Sequence, residues 1–542
     1  MRGWLREAGR EPGVAFVGEL HRRAAGGPGT ASGDVAAAEV LAAWRRLGPR
    51  MGSALNGVFV AALRDGDSRL LYRAASSLQN LYWTDVPGAG IAYASELPEL
   101  FAMAGVPCRL APSALHEYLR FLDVAAPRTL FEGVSALEPG RLLRARADGS
   151  VHVEQPDDPS ETGSPIEFDA AVDQLDTALR ESIAIRLAGC SRPALFLSSG
   201  VDSTLIAAIA ATLRPDTTAI TVGFDEAGFD EAPQAAAIAR RLGLPHRVLR
   251  FGHAELLSAF ERCAAGMEQP TADPSLPATV LALDHCRQHF DAVLEGTGAD
   301  EAVGAMPPRH LRLTVALGGR MPGPLRRALV GAMRRVPGLA GYAPVFDFEH
   351  PADPFIRWGG FTRTEIERLC GQRVSFADTH FYRTFERFPH DAHFERYAAL
   401  LDAMPSERVS QAMRIGSMRM RFPYCDRHVD TFLRSQPAAY RDRPGQPKRI
   451  LRALLSRYLP KDVWDVPKRG FNFPLQRFLM HDDARLVRQG LDAARWHPAA
   501  LLDADEVARH ARAYLAGDHR RLFRVWALVV LGGWLEQHAG LH

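Results

Sequence analysis

Residues 193–204 read Pro193-Ala-Leu-Phe-Leu197-Ser-Ser-Gly200-Val-Asp202-Ser203-Thr204. The apolar run at 193–197 predicts a buried strand, and the residues from Asp202 predict a helix. Small side chains between them let backbone N–H groups approach an anion, and the helix N-terminus adds partial positive charge. Ser203 and Thr204 offer hydroxyls, and Asp202 offers a hard carboxylate suited to magnesium. The spacing fits neither a Walker loop nor GxGxxG. Taken alone, these residues are compatible with a phosphate loop or with a helix capped after a tight turn.

Working outward, the surroundings predict an α/β domain. An amphipathic helix is expected over roughly 168–187, a strand at 219–224, a helix near 231–242 and a strand at 290–294. Such alternation implies a doubly wound parallel sheet with its ligand at the strand C-termini. Past 305 the pattern is mostly helical. Residues 1–154 instead alternate short apolar runs with turn signals, as at 57–63, 69–72 and 90–94, which suits strands with a few helices. Residues 155–166 combine Pro, Gly, Ser and acids without periodicity and read as a linker to a second domain over 167–542.

Composition narrows the function. The 542 residues are 47% hydrophobic and 24% charged with a net charge of +2, which excludes disordered and fibrous classes and gives no whole-chain field for nucleic acid or membrane. The N-terminus lacks an apolar signal segment and the run at 525–535 is too short to span a bilayer, so a cytoplasmic enzyme is expected. Six scattered cysteines read as reduced thiols. Of 65 lysines and arginines only Lys448, Lys461 and Lys468 are lysines. The arginine excess reads either as codon bias or as a sign that each compact ammonium marks a place where an arginine fork would not fit.

Five segments in order carry a resemblance. They are Ser198-Ser-Gly-Val-Asp-Ser203, Gly223-Phe-Asp-Glu226 with Phe229-Asp-Glu231, Leu294-Glu-Gly-Thr-Gly-Ala-Asp-Glu301, Arg421-Phe-Pro-Tyr-Cys-Asp426 and Lys468-Arg-Gly-Phe471. Together they resemble the asparagine-synthetase type of ATP pyrophosphatase, with Ser199 where that family has a glycine. The resemblance implies that ATP activates a carboxylate as an acyl-adenylate, and that a nitrogen nucleophile then displaces AMP. It implies Ser198, Gly200, Asp202 and Ser203 around the pyrophosphate, and Leu197, Val222, Gly223 and Gly296 around adenosine. Asp202 and Asp300 would hold Mg2+. Lys448 and Lys468 match the paired lysines of β-lactam synthetases, and Glu407 matches the glutamate of their Tyr–Glu base. Thr297 stands where the tyrosine of that dyad would be.

The N-terminal part resembles a class II glutamine amidotransferase, implying an Ntn-hydrolase-like α+β sandwich. Gly18-Glu-Leu20, Leu55-Asn-Gly-Val-Phe59 and Ala94-Ser-Glu96 carry the likeness. The chain begins Met1-Arg2-Gly3 and its first cysteine is Cys108, so a degenerate glutaminase is expected. Without ammonia the nucleophile is expected to be an amine on the substrate, as in β-lactam synthetases and lasso-peptide cyclases. Residues 302–406 form a long insertion. Arg309, Arg312, Arg320, Arg326, Arg327, Arg334 and Arg335 come without an acid over 302–346. Phe355, Trp358, Phe361, Phe376, Phe381, Tyr382, Phe385 and Phe388 follow. These suit either a threaded peptide or a helical lid with an aromatic core. With 268–275 and 358–362, they resemble the lasso-peptide cyclases. Macrocyclisation of a leader-free precursor peptide is therefore expected, with a leader-binding protein and protease as partners and no nucleic acid or membrane. The alternatives are a small-molecule ligase of the β-lactam or asparagine type, and a non-catalytic ATP- or peptide-binding partner.

Overall fold

The computed structural model describes residues 13–24, 27–86, 90–103, 106, 108–146, 148–156, 166–226, 228–336, 338–339, 343–356, 359–404, 407–443, 445–466, 473–492 and 501–538. The N-terminal domain is an α+β sandwich. Strands β1 (Val14–Ala24), β2 (Gly27–Ala31), β3 (Gly57–Asp65), β4 (Ser68–Arg73), β8 (Leu142–Ala145) and β9 (Val151–Glu154) form an antiparallel sheet in the order β2-β1-β3-β4-β8-β9. Strands β5 (Tyr82–Val86), β6 (Gly90–Ala94) and β7 (Ser135–Ala136) form a second sheet. Strand alternation sorts the two faces. Phe59, Ala61 and Leu63 pack with Ala36, Val40 and Trp44 of the helix Gly33–Leu47. Val60 and Ala62 instead share a core with Ile91 of the second sheet and with Leu81 and Leu137, which flank its strands.

The C-terminal domain is built on a five-stranded parallel sheet. Its strands are β10 (Pro193–Phe196), β11 (Thr218–Gly223), β12 (His246–Arg250), β13 (Ala292–Leu294) and β14 (Met420–Arg421), ordered β12-β11-β10-β13-β14. The order reverses at β10, so the topological switch point lies directly above Leu197 and the loop 198–200 that follows it. Helices Phe168–Leu187, Val201–Leu213 and Arg449–Tyr458 share one apolar core with that sheet. The other core contains Val293 of the sheet together with helices His253–Gly266, Leu276–His289 and Leu522–Gln537. All six cysteines are unpaired.

The insertion decides between the two readings of its aromatics. Phe361, Phe376, Phe381, Tyr382 and Phe385 are buried in that second core, and Phe121 of the N-terminal domain packs edge-on against Phe376, Phe381 and Tyr382. Phe355 and Phe388 are half-buried, and Trp358 lies outside the described residues. These rings hold the insertion to the body rather than lining a surface for a peptide.

Candidate active site

A cavity of about 360 Å³ opens at the C-terminal ends of β10, β11 and β13. Leu197, Ser198, Gly200, Asp202, Ser203, Val222, Gly296 and Asp300 line it, so eight predicted residues come together there. The loop is held by its own hydroxyls. Ser203 Oγ lies 2.8 Å from Ser198 Oγ, the Ser198 N–H donates to Ser203 Oγ (3.1 Å), and the Gly200 N–H donates to Ser198 Oγ (3.1 Å). Gly200 is the N-cap of the helix Val201–Leu213, which aims that helix's unpaired N–H groups at the cavity. Ser199, at the family's glycine position, keeps negative φ, so the exchange causes no strain there, and its hydroxyl donates to Glu231 Oε1.

Glycine is required elsewhere. Gly298 has φ +98°, and a Cβ on it would stand 2.8 Å from Cys425 Sγ. Gly296 lies beside Asp202 at ordinary contact distance, its Cβ position 3.4 Å from the Asp202 Cβ, so sterics alone do not demand glycine there. Gly223 is not among the lining residues: a Cβ there would meet Val248 at 2.9 Å, so this glycine serves contact between β11 and β12.

Lys448 provides the cation. Its ammonium bridges Asp202 Oδ2 and Asp300 Oδ1, the latter at 2.7 Å. Burial works to lower its pKa, but the two carboxylates outweigh burial and hold it above the ordinary lysine value. Lys448 caps the helix Arg449–Tyr458 with φ +54°, a left-handed conformation unusual for a side chain of this length. Two carboxylates close enough to share one cation are a donor set that fits Mg2+. Behind them the Tyr424 hydroxyl donates to the Asp202 carbonyl at 3.1 Å.

Lys468 lies outside the described residues, as does the rest of the 467–472 segment. Glu407 does not line the cavity; its neighbour Arg408 does. The Glu407 carboxylate turns to the N-terminal domain, accepting from Asn80 Nδ2 (3.0 Å) and from Gln411 Nε2 (3.0 Å). Asn80 also donates to the Tyr82 hydroxyl, which donates to Glu268 Oε2 at 3.1 Å. In this arrangement the Glu407 carboxylate is held in an interdomain cluster and is not among the residues that line the cavity.

Several lining residues escaped the motifs. Phe196, Ile220 and Met420 provide an apolar wall, Thr279 and Ala282 present one face of the helix Leu276–His289, and Arg408 brings a guanidinium 3.4 Å from Asp273 and 3.9 Å from Glu295. Only their helical i, i+3 spacing and adjacency to motif strands marked them. Glu301 also lines the cavity, and burial next to Asp300 raises its pKa to about 7.

Comparison with known proteins identifies the family. The asparagine synthase family profile matches residues 174–536, and the glutamine amidotransferase domain profile matches residues 27–155. The chain belongs to the asparagine synthase family. It is 26% identical over 532 residues to a putative glutamine-hydrolysing asparagine synthetase of Mycobacterium tuberculosis, covering 91% of this chain and 78% of the relative. It is 23% identical over 510 residues to glutamine-hydrolysing asparagine synthetase 1 of Bacillus subtilis, covering 91% and 80%. An amidase of Gibberella zeae is 23% identical over 562 residues, covering 91% and 81%. As an asparagine synthase family member the chain is an ATP-dependent, AMP-forming carbon–nitrogen ligase.

Proposed function

We propose that this ligase is a peptide macrocyclase of the lasso-cyclase type. ATP adenylates an Asp or Glu side-chain carboxylate of a leader-free peptide and pyrophosphate departs. The peptide's N-terminal amine then attacks the acyl carbon, forming an amide and releasing AMP. The observation that carries this reading is a hydrogen-bonded cluster at the contact between the domains, formed around Glu407, the neighbour of Arg408. A nitrogen released in one domain and used in the other needs a passage. Here Asn80, Tyr82, Glu268, Glu407 and Gln411 join in a buried hydrogen-bonded cluster between the domains. An amine carried by the substrate needs no such passage.

The residues then have distinct tasks. Ser198, Gly200 and Ser203 receive the phosphates, and Asp202 and Asp300 would hold Mg2+, which neutralises phosphate charge. Lys448 moves from the carboxylates to the pyrophosphate as charge develops on it, and Lys468, twenty residues on, is proposed to meet the reacting carbon. With Glu407 committed elsewhere, holding amine and adenylate in one folded peptide supplies most of the second step. A precursor core peptide is the implied substrate, and a leader-binding protein and protease would free its amine.

The test is AMP release by the purified protein with ATP and magnesium, with and without a leader-free precursor peptide, while peptide mass is followed. Peptide-dependent AMP with loss of one water supports the macrocyclase. AMP formation only with aspartate plus ammonia, or with a small β-amino acid, moves the assignment to a small-molecule ligase. Lys448→Met is expected to lower AMP release about 100-fold or more; unchanged release removes the assigned role of Lys448.

A further inference from the structure

The net charge of +2 conceals a local asymmetry. Residues 302–346 carry seven arginines and neither aspartate nor glutamate. They contain two helices, Arg309–Gly319 and Gly323–Arg335, locked together by Arg326. Its guanidinium donates to the Gly318 carbonyl (2.8 Å) and the Phe348 carbonyl (2.6 Å) and lies 4.2 Å from the Phe348 ring centroid. Val330 and Met333 turn inward with Ala343, which fixes the inner side of the second helix.

The outer side is unusual. Among the described residues eleven large apolar side chains are exposed, and five of them, Leu313, Leu317, Leu325, Val336 and Leu339, fall within residues 313–339. Leu313 and Leu317 stand one turn apart between exposed Arg309 and Arg320, and Leu325 is followed by exposed Arg327. Aliphatic side chains flanked by cations along short helices are the pattern of a surface that lies on a bilayer.

We propose that this two-helix face docks on an anionic lipid surface. The patch has a single sign of charge, whereas protein partners are held in register by interleaved charges of both signs. Its exposed apolar groups are aliphatic, without the Trp and Tyr anchors that dominate protein interfaces. A headgroup layer needs neither register nor anchors. No helix among the described residues can span a membrane, so the attachment is peripheral. It departs from the expectation of no membrane partner drawn from net charge, since a whole-chain sum averages out a patch.

The experiment is co-sedimentation of the full chain with phosphatidylglycerol–phosphatidylcholine vesicles and with pure phosphatidylcholine vesicles. Binding is expected on the anionic vesicles only, weakening as salt rises from 0.1 to 0.5 M and the Debye length shortens from about 10 Å. Arg309→Gln with Arg320→Gln should cut partitioning about 25-fold, from a factor of about five per arginine. Leu313→Ser with Leu317→Ser should cut it about tenfold or more. All four side chains are solvent-exposed or nearly so, and thermal melts confirm that each variant remains folded. Binding that survives both variants overturns the proposal, as does full release by millimolar inorganic phosphate. Failure on vesicles together with capture of an acidic, leucine-bearing helical peptide overturns it in favour of a protein partner.

Discussion

Two fully buried arginine–aspartate pairs bracket the N-terminal domain's contact with the ligase half, and they are compensated differently. Arg120 of the helix Pro112–Phe121 pairs with Asp353 of the insertion, which also accepts from the Tyr382 hydroxyl. Arg120 further donates to the Phe361 carbonyl (3.2 Å) and sits 5.2 Å from the Phe376 ring centroid. Burial opposes its charge, but Asp353 and its neighbours outweigh burial and raise its pKa. Arg186 pairs with Asp426 at 3.0 Å through Nη1 alone, while its Nε and Nη2 find no partner among the described residues. There burial wins and the pKa is lowered. The first pair is the better compensated anchor, with the Arg120 Nε alone left without a partner among the described residues. The second holds an incompletely satisfied charge two residues from Tyr424, whose hydroxyl holds the Asp202 carbonyl, so imperfect compensation sits on the active-site side.

Breaking either pair tests this contrast and carries the largest expected effect. Asp353→Asn and Asp426→Asn each strand a buried guanidinium and should cost about 3–5 kcal/mol in urea denaturation. Their effects on ATP affinity should part. Asp426→Asn is expected to weaken MgATP binding measured calorimetrically, because the segment 421–426 forms the wall behind Asp202, whereas Asp353→Asn should leave it unchanged in the folded fraction. Equal losses of affinity would erase the distinction between anchor and active-site pair.

Asn56 sharpens the comparison at smaller cost. It belongs to the N-terminal domain, yet its Nδ2 donates to Asp426 Oδ2 (2.8 Å) and its Oδ1 accepts from the Arg427 N–H (2.8 Å). Asn56→Ala removes both bonds and should destabilise by about 1–3 kcal/mol. A drop in ATP affinity in the same variant would tie the N-terminal domain to the ATP site through Asp426. Stability loss without it would reduce Asn56 to interface packing.

Much of this was legible because it is local. The helix expected at 168–187 is Phe168–Leu187, and the strand–loop–helix at 193–204 formed as its small residues required. Strand β14 was not anticipated: two residues in a helical stretch carry no period, and only pairing with β13 defines it. Glu407 shows the converse limit. Its distance from Pro423 matched a family spacing, but spacing does not say which way a side chain turns, and Asn80, 327 residues earlier, decided that. The aromatics of the insertion were ambiguous for the same reason, since the ring cluster around Phe121 is assembled from distant segments.

The smallest effect concerns the interdomain cluster that Glu407 joins. Burial raises the Glu268 pKa from 4.5 to about 7, against the lowering influence of Arg414 and the Leu97 N–H, with Glu407 adding to the rise. A folded-state pKa above the unfolded one means that the native protein binds the extra proton between those values. Its stabilisation is complete below about pH 4.5 and is lost as pH rises through about 7. Glu268→Gln keeps an acceptor for the Leu97 N–H and replaces the proton with an amide. Relative to this variant, the wild type should therefore lose stability between pH 5 and 7 by about 1 kcal/mol per pH unit, read from urea midpoints. Parallel pH profiles would mean that Glu268 is ionised in the fold and that the cluster closing the interface is charged rather than neutral.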